Sequence, residues 1–246
     1  IIKTIREQES KSMYDKTLTE TRLNLRKEGK ITINFLGFVD KIKYLEDNDG
    51  KYLVAIIDYK TGYVPTTLDN INYGLHLQLP VYIYLTKRGL HKDIKITGFY
   101  LQKILNGKTV DSDSFEEDSK KALKLDGYSI DSEEELIKFD RTYTKSDVIK
   151  GMATTSKGFA HYAKLFSDSD IEKIDRIVDE RINEVVEAIW KGAFPINPKR
   201  VKGELIGCEF CKYKEICYRR EEDIVDLEYK TREDILGDDL NAKVDE

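Results

Sequence analysis

Two acids and a lysine stand at the ends of apolar segments, in Gly37-Phe38-Val39-Asp40 and in Ile56-Ile57-Asp58-Tyr59-Lys60-Thr61-Gly62. Charges in such a setting need a partner, a metal or solvent, because desolvating them is costly. A short hairpin joins the two segments, so Asp40 and Asp58 can converge from neighbouring strands. Two carboxylates within ~4 Å of each other repel unless a cation sits between them. Oxygen-only ligation suits Mg²⁺ or Mn²⁺, which also keep waters for chemistry. Lys60 follows Asp58 by two residues and so shares its side of an extended strand. An ammonium there can orient an attacking water and stabilise charge developing on a phosphate. The set implies hydrolysis of a phosphodiester. A lone Asp-X-Lys is commonly a solvated pair at a strand end; the weight lies in the constellation.

A third part follows in Tyr73-Gly74-Leu75-His76-Leu77-Gln78-Leu79-Pro80-Val81-Tyr82. Gln78 and Tyr82 are one helical turn apart and share a face, so an amide and a phenol can point at one metal or phosphate. The plainer alternative is that Tyr82 is core and Gln78 a buried amide bonded to backbone. His76 and His91 read as surface or packing histidines. Near the C-terminus, Cys208-Glu209-Phe210-Cys211 and Cys217 form a C-x₂-C-x₅-C array. Such thiolates can hold a soft metal, yet a 4Fe–4S cluster or a zinc ion normally takes four ligands. Only three are present.

The elements that must position these residues are legible in part. Ile5 to Lys27 is expected as a charged helix with one buried stripe, ended by Gly29. Ile31 to Val39 reads as a strand continuing through Ile42–Leu45, Glu46–Gly50 as a turn, and Tyr52–Asp58 as the returning strand. The unbroken apolar run Leu53–Ile57 predicts burial on both faces. A helix is expected from Ile71 to about Lys87, with Pro80 marking a kink or a late start, then a strand over Ile94–Leu105. The acidic stretch from Asp111 to Asp140 reads as a solvated insertion with at most short elements, and Lys145 to His161 has no clear periodicity. Asp168 to Trp190 is the clearest helix, stopped by Gly192, with Pro195 and Pro198 carrying an extended link to the cysteines. These readings divide the chain into a main folded unit, 1–220, and an acidic tail, 221–246. Within the unit they place a core at 30–105, an insertion at 111–165, a long helix at 168–191 and a cysteine segment at 205–220. No internal repeats are evident.

Composition bounds the function classes. Across 246 residues, 41 basic and 46 acidic side chains give a net charge of −5, so no global basic field announces a nucleic-acid partner. Any DNA contact must be local. A hydrophobic content of 40% with 10% aromatics fits a folded domain. No apolar run approaches the ~20 residues that cross a bilayer. The start Ile1-Ile2-Lys3-Thr4 is neither a methionine start nor a signal peptide, so a cytoplasmic piece of a longer protein is expected. Three clustered cysteines are too few for a secreted disulfide framework.

The motifs Gly37–Asp40, Asp58–Gly62 and Gln78–Tyr82 resemble those of the PD-(D/E)XK nuclease superfamily in its RecB-like branch. The wording Gly74-Leu75-His76-Leu77-Gln78-Leu79-Pro80 is similar to the nuclease domain of the AddB subunit of bacterial helicase–nucleases. The resemblance implies an α/β fold with a mixed central sheet flanked by helices. It also implies metal binding at Asp40, Asp58 and the Tyr59 carbonyl, catalysis at Lys60, and support from Gln78 and Tyr82. The family places one more His or Glu ahead of the first strand, for which Glu7, Glu9 and Glu20 are on offer. It also makes Cys208, Cys211 and Cys217 three of the four ligands of a 4Fe–4S cluster, with the fourth expected upstream of Ile1.

The resulting expectation is an Mg²⁺-dependent exonuclease acting on DNA, single-stranded in its site, with Tyr59, Tyr63, Tyr82 and Lys60 as strand contacts. Its role would be end processing in recombination repair. No Gly-x-x-x-x-Gly-Lys-Ser/Thr loop occurs, so a helicase subunit or a fused helicase domain would supply the motor. Two alternatives stay open: a stand-alone four-cysteine exonuclease of the CRISPR-associated type, and a catalytically silent DNA-binding module.

Overall fold

The structure is a computed structural model that describes residues 1–29, 31–62, 66–90, 92–104, 115–209 and 211–237. After a short helix α1 (Ile2–Glu9), β1 (Lys16–Lys27), β2 (Ile33–Glu46) and β3 (Tyr52–Lys60) run antiparallel in succession. The turn into β3 follows from its composition. Asp47 Oδ1 accepts from the amides of Asp49 and Lys51, and Gly50 takes a φ of 77°. A 3-10 turn (Ile71–Tyr73) leads to α2 (Gln78–Gly89), and β4 (Ile94–Lys103) enters beside β3 in parallel. Pro80 is the third residue of α2, where an amide has no partner within the helix, so it marks a late start and not a kink.

The chain continues through α3 (Phe115–Ala122), β5 (Asp126–Ile130), α4 (Glu133–Phe139), the small hairpin β6 (Thr154–Thr155) and β7 (Gly158–Phe159), and β8 (Leu165–Phe166). Then come α5 (Asp168–Trp190), β9 (Lys199–Val201), α6 (Ile206–Glu209), α7 (Lys214–Cys217), β10 (Val225–Leu227) and α8 (Arg232–Leu236). The central sheet is mixed and six-stranded, in the order β1-β2-β3-β4-β5-β8. Helices flank it, as expected. Among the described residues no helix is long and apolar enough to cross a membrane.

Strand β3 is covered on both faces, which explains its unbroken apolar run. On one face Val54 and Ile56 join Ile83, Leu85, Phe99 and Ile174. On the other, Leu53, Ala55 and Ile57 join Tyr100, Leu136, Phe139 and Ile149. Burying each such side chain is worth about 1.5–3 kcal/mol, so the strand that carries the acid and lysine is held from both faces.

Helix α2 is locked in place from both sides. Gly37 of β2 leaves room for Leu85; a Cβ there would lie 2.4 Å from Leu85 Cδ1. Arg88 grips Asp175 of α5 through two bonds of 2.6 and 2.7 Å, and its guanidinium stacks 3.7 Å over the Tyr84 ring. Tyr84 in turn donates to Asp179 at 2.6 Å. A bidentate Arg–carboxylate pair fixes orientation as well as distance. Helix α5 itself begins at a Ser167–Asp170 capping box, in agreement with the expected start.

Three expectations change. Most of Ile5–Lys27 is not helix: α1 ends at Glu9, and Lys16–Lys27 is an edge strand paired with β2 along its length. Alternating Thr17, Thr19 and Thr21 favour an extended chain, because branching at Cβ restricts χ1 in a helix. The segment read as a solvated insertion, 111–140, supplies β5 to the sheet and Leu125, Leu136 and Phe139 to the second core, and the residues after it add Val148 and β8. Acidic residues hid it, since they lie between the buried positions. Part of the acidic tail also docks: β10 pairs with β9, Leu236 is buried, and Arg232 meets Asp170 at 2.7 Å. The tail beyond 237 lies outside the described residues.

Gly127 tests the placement of β5. A Cβ there would fall 2.2 Å from the Phe99 carbonyl oxygen and 2.7 Å from Tyr100 Cα, both backbone atoms of β4. Neither can retreat without breaking the ladder. Gly127→Ala is therefore expected to cost about 1–3 kcal/mol, read as a lower denaturation midpoint. An unchanged midpoint would remove β5 from the sheet.

Candidate active site

Asp58 and Lys60 continue the Val54–Ile56 side of β3 and emerge beneath the first turn of α2. Gln78 lies above them and joins the group. Its Oε1 accepts from Lys60 Nζ at 2.7 Å, while its Nε2 donates to Asp58 Oδ1 at 2.9 Å and to Tyr82 OH at 3.1 Å. The amide has one orientation that works, because lysine offers only donors and an ionised carboxylate only acceptors. Asp40 approaches from β2, where its Oδ2 accepts from the Tyr59 amide at 2.9 Å. An extended residue's carbonyl points to the same strand edge as its amide, so the Tyr59 carbonyl faces Asp40.

Asp58 is almost wholly buried, with 2% of its surface exposed. Its buried Oδ2 lies 2.6 Å from Lys60 Nζ, and this ion pair is its one polar contact among the described residues. Burial pushes the Asp58 carboxyl above the usual carboxylate range, and the Asp40 charge adds to this against the opposing pull of Lys60. Burial likewise raises the Tyr82 phenol, and the Asp58 and Asp40 charges reinforce it, while the Gln78 bond opposes. Tyr82 therefore keeps its proton as a donor.

An incompletely satisfied carboxylate beside a second one is the donor set that a hard divalent cation fits. Asp40 and Asp58 would hold it, with the Tyr59 carbonyl beside them. Among the described residues no third His, Cys, Asp or Glu completes a metal-holding group. Glu9 pairs with Lys41, and Glu7 lies 3.6 Å from Lys120. Glu20 of β1 lies between Thr19 and Thr21, whose partners Lys41 and Val39 flank Asp40 on β2; it is exposed, with a φ of 46°.

Not every candidate is gathered here. The Tyr59 side chain points to the opposite face, into the second core, with Lys41 Nζ 5.8 Å from its ring centre. Alternation along β3 requires this, so Tyr59 offers its backbone and not a stacking surface. His76 is half-buried in the loop before α2, at a φ of 53°, and enters no part of the network. Tyr63 and His91 lie outside the described residues. Cys208, Cys211 and Cys217 are half-buried free thiols, and Cys211 Sγ accepts from the Tyr213 amide at 3.4 Å. They do not form a metal-holding group among the described residues.

A family model described as the PD-(D/E)XK nuclease superfamily matches residues 2–218. The chain belongs to that superfamily. Within it, the chain is similar to proteins described as B-type subunits of an ATP-dependent helicase/deoxyribonuclease. It is 26% identical over 196 residues to the one from Carboxydothermus hydrogenoformans, covering 76% of this chain and 18% of that protein. The Alkaliphilus oremlandii protein is 26% identical over 217 residues, covering 85% of this chain and 19% of its own length. The Bacillus cereus (strain AH187) protein is 23% identical over 229 residues, with 88% and 19% covered. The chain thus spans less than a fifth of these relatives. Lys103, paired with Lys60 at the end of β4, belongs to no motif that the sequence shows.

Proposed function

We propose that this chain hydrolyses phosphodiester bonds in DNA as the nuclease part of a helicase–nuclease, using Mg²⁺ or Mn²⁺ at Asp40 and Asp58. The observation that carries the reading is one connected network: Asp58, Lys60, Gln78 and Tyr82 meet through three hydrogen bonds and a 2.6 Å ion pair, beside Asp40. A divalent cation bound there supplies Lewis-acid polarisation of the phosphate and a more acidic water.

The chain's own groups do the positioning. Gln78 holds Lys60 against Asp58, and Lys60 Nζ is near enough to the surface to reach a non-bridging phosphate oxygen as charge builds on it. Tyr82, kept protonated, is a second donor on the same side. The relatives' name supports DNA as substrate and a helicase as partner. End processing in recombination repair belongs to the same reading.

The test is cleavage of end-labelled single-stranded and double-stranded DNA, with Mg²⁺ or with chelator. Cleavage is expected with the cation and should fall to background in chelator. Undiminished cleavage in chelator would overturn the cation's role, and no cleavage of either DNA with Mg²⁺ or Mn²⁺ would overturn the reading.

A further inference from the structure

β3 and β4 are parallel neighbours, and their carboxyl ends pair Lys60 with Lys103. Ligands of open α/β sheets gather outside the carboxyl ends of strands, where the order of connections reverses. Outside these ends lies an open groove of about 410 Å³, walled by α3 and the start of β5. Lys60, Lys103, Lys121, Lys124 and Lys150 line it, against Asp118 and Asp126. Asp126 is already neutralised, by Lys150 at 2.9 Å and by Lys164 at 2.8 Å. Lys103 and Lys121 form no ion pair among the described residues. A concentration of lysine is unexpected in a chain whose net charge is −5. Like charges packed along one groove repel unless an anion lies between them.

We infer that this groove binds the backbone of a single DNA strand, leading it to or from Lys60, with Lys103 and Lys121 contacting phosphates. The inference rests on the proposed nuclease reading but concerns a surface outside the acid–lysine network. A single strand suits the groove because a positively charged channel tracks its backbone without reading bases. Lys121 is exposed and Lys103 half-buried, and neither belongs to the two cores, so their removal leaves both cores intact.

The test is binding of a fluorescent oligothymidylate in chelator, where no cutting is expected, measured across a salt series. Lys103→Ala/Lys121→Ala is expected to weaken binding about tenfold and to flatten the salt dependence by about 1.4, or ~0.7 for each phosphate no longer neutralised. The charge-matched control Lys16→Ala/Lys51→Ala, at the other ends of the strands, should bind as the wild type does. Equal weakening in both double variants would overturn the groove in favour of net charge alone. So would an unchanged affinity in the first variant, or no binding by the wild type. Cleavage is scored separately, so a protein that binds through Lys103 and Lys121 without cutting would sink the nuclease reading and leave the groove standing.

Discussion

Asp58→Asn is expected to lower the DNA cleavage rate by about a thousandfold or more, ~4 kcal/mol, while the protein melts at the same temperature or higher. The loss follows from chemistry: the amide keeps the shape and can still accept from Gln78 Nε2, but it removes one of the two charges that would hold a cation. The stability follows from linkage. Burial and the Asp40 charge raise the Asp58 carboxyl above its unfolded value, so the folded state disfavours the ionised form. A group raised in this way weakens the fold at every pH above its folded pKa, and a neutral side chain relieves that weakness at pH 7. Cleavage rates and thermal melts on one preparation check both halves. A variant that cuts within tenfold of wild type would sink the assignment of Asp58, and one that melts well below it would show that Asp58 supports the fold instead of straining it.

The part of the site that was legible in the sequence is the part whose geometry is local. Asp58 and Lys60 share a face because strands alternate, Gln78 and Tyr82 because helices repeat, and Asp40 arrives through a hairpin with a recognisable turn. Those three rules need no knowledge of the tertiary fold. The same alternation turns the Tyr59 ring away, and the rule could have been applied to it equally. Lys103 was not legible, because it reaches Lys60 through a parallel pairing whose register depends on the length and packing of α2. β5 and β8 were hidden for a related reason. They are short, and their buried positions, such as Tyr128, Ile130 and Phe166, are separated by acidic and polar residues. In β1 the leucines fit a helical stripe loosely, and only pairing with β2 settles the choice. The cysteine array shows the reverse case. Its spacing is clear in the sequence, while among the described residues the three thiols are free and form no metal-holding group.

Lys60→Ala is expected to slow cleavage by about a hundred- to a thousandfold, the range found when one donor to a developing oxyanion is removed. Its ammonium is the group in the network best placed to reach a phosphate, since its side chain is 20% exposed while that of Asp58 is 3% exposed. Gln78 touches Lys60, Asp58 and Tyr82 but is argued to act through them, as a positioning residue. Gln78→Ala should therefore cost less, about tenfold, and the cost should fall on kcat with KM little changed, because the strand is held elsewhere. The discriminating measurement is the double variant. If Gln78 works by holding Lys60, removing it after Lys60 is already gone should cost almost nothing, so Lys60→Ala/Gln78→Ala should cleave about as slowly as Lys60→Ala. Costs that simply multiply would mean that Gln78 meets the substrate itself. A Gln78→Glu variant sharpens the distinction, because its carboxylate can still accept from Lys60 but, when ionised, cannot donate to Asp58 and sets a third negative charge beside the pair. Its activity should fall below that of Gln78→Ala at neutral pH and recover as the pH is lowered. A purely space-filling role for Gln78 would leave the two variants alike at every pH.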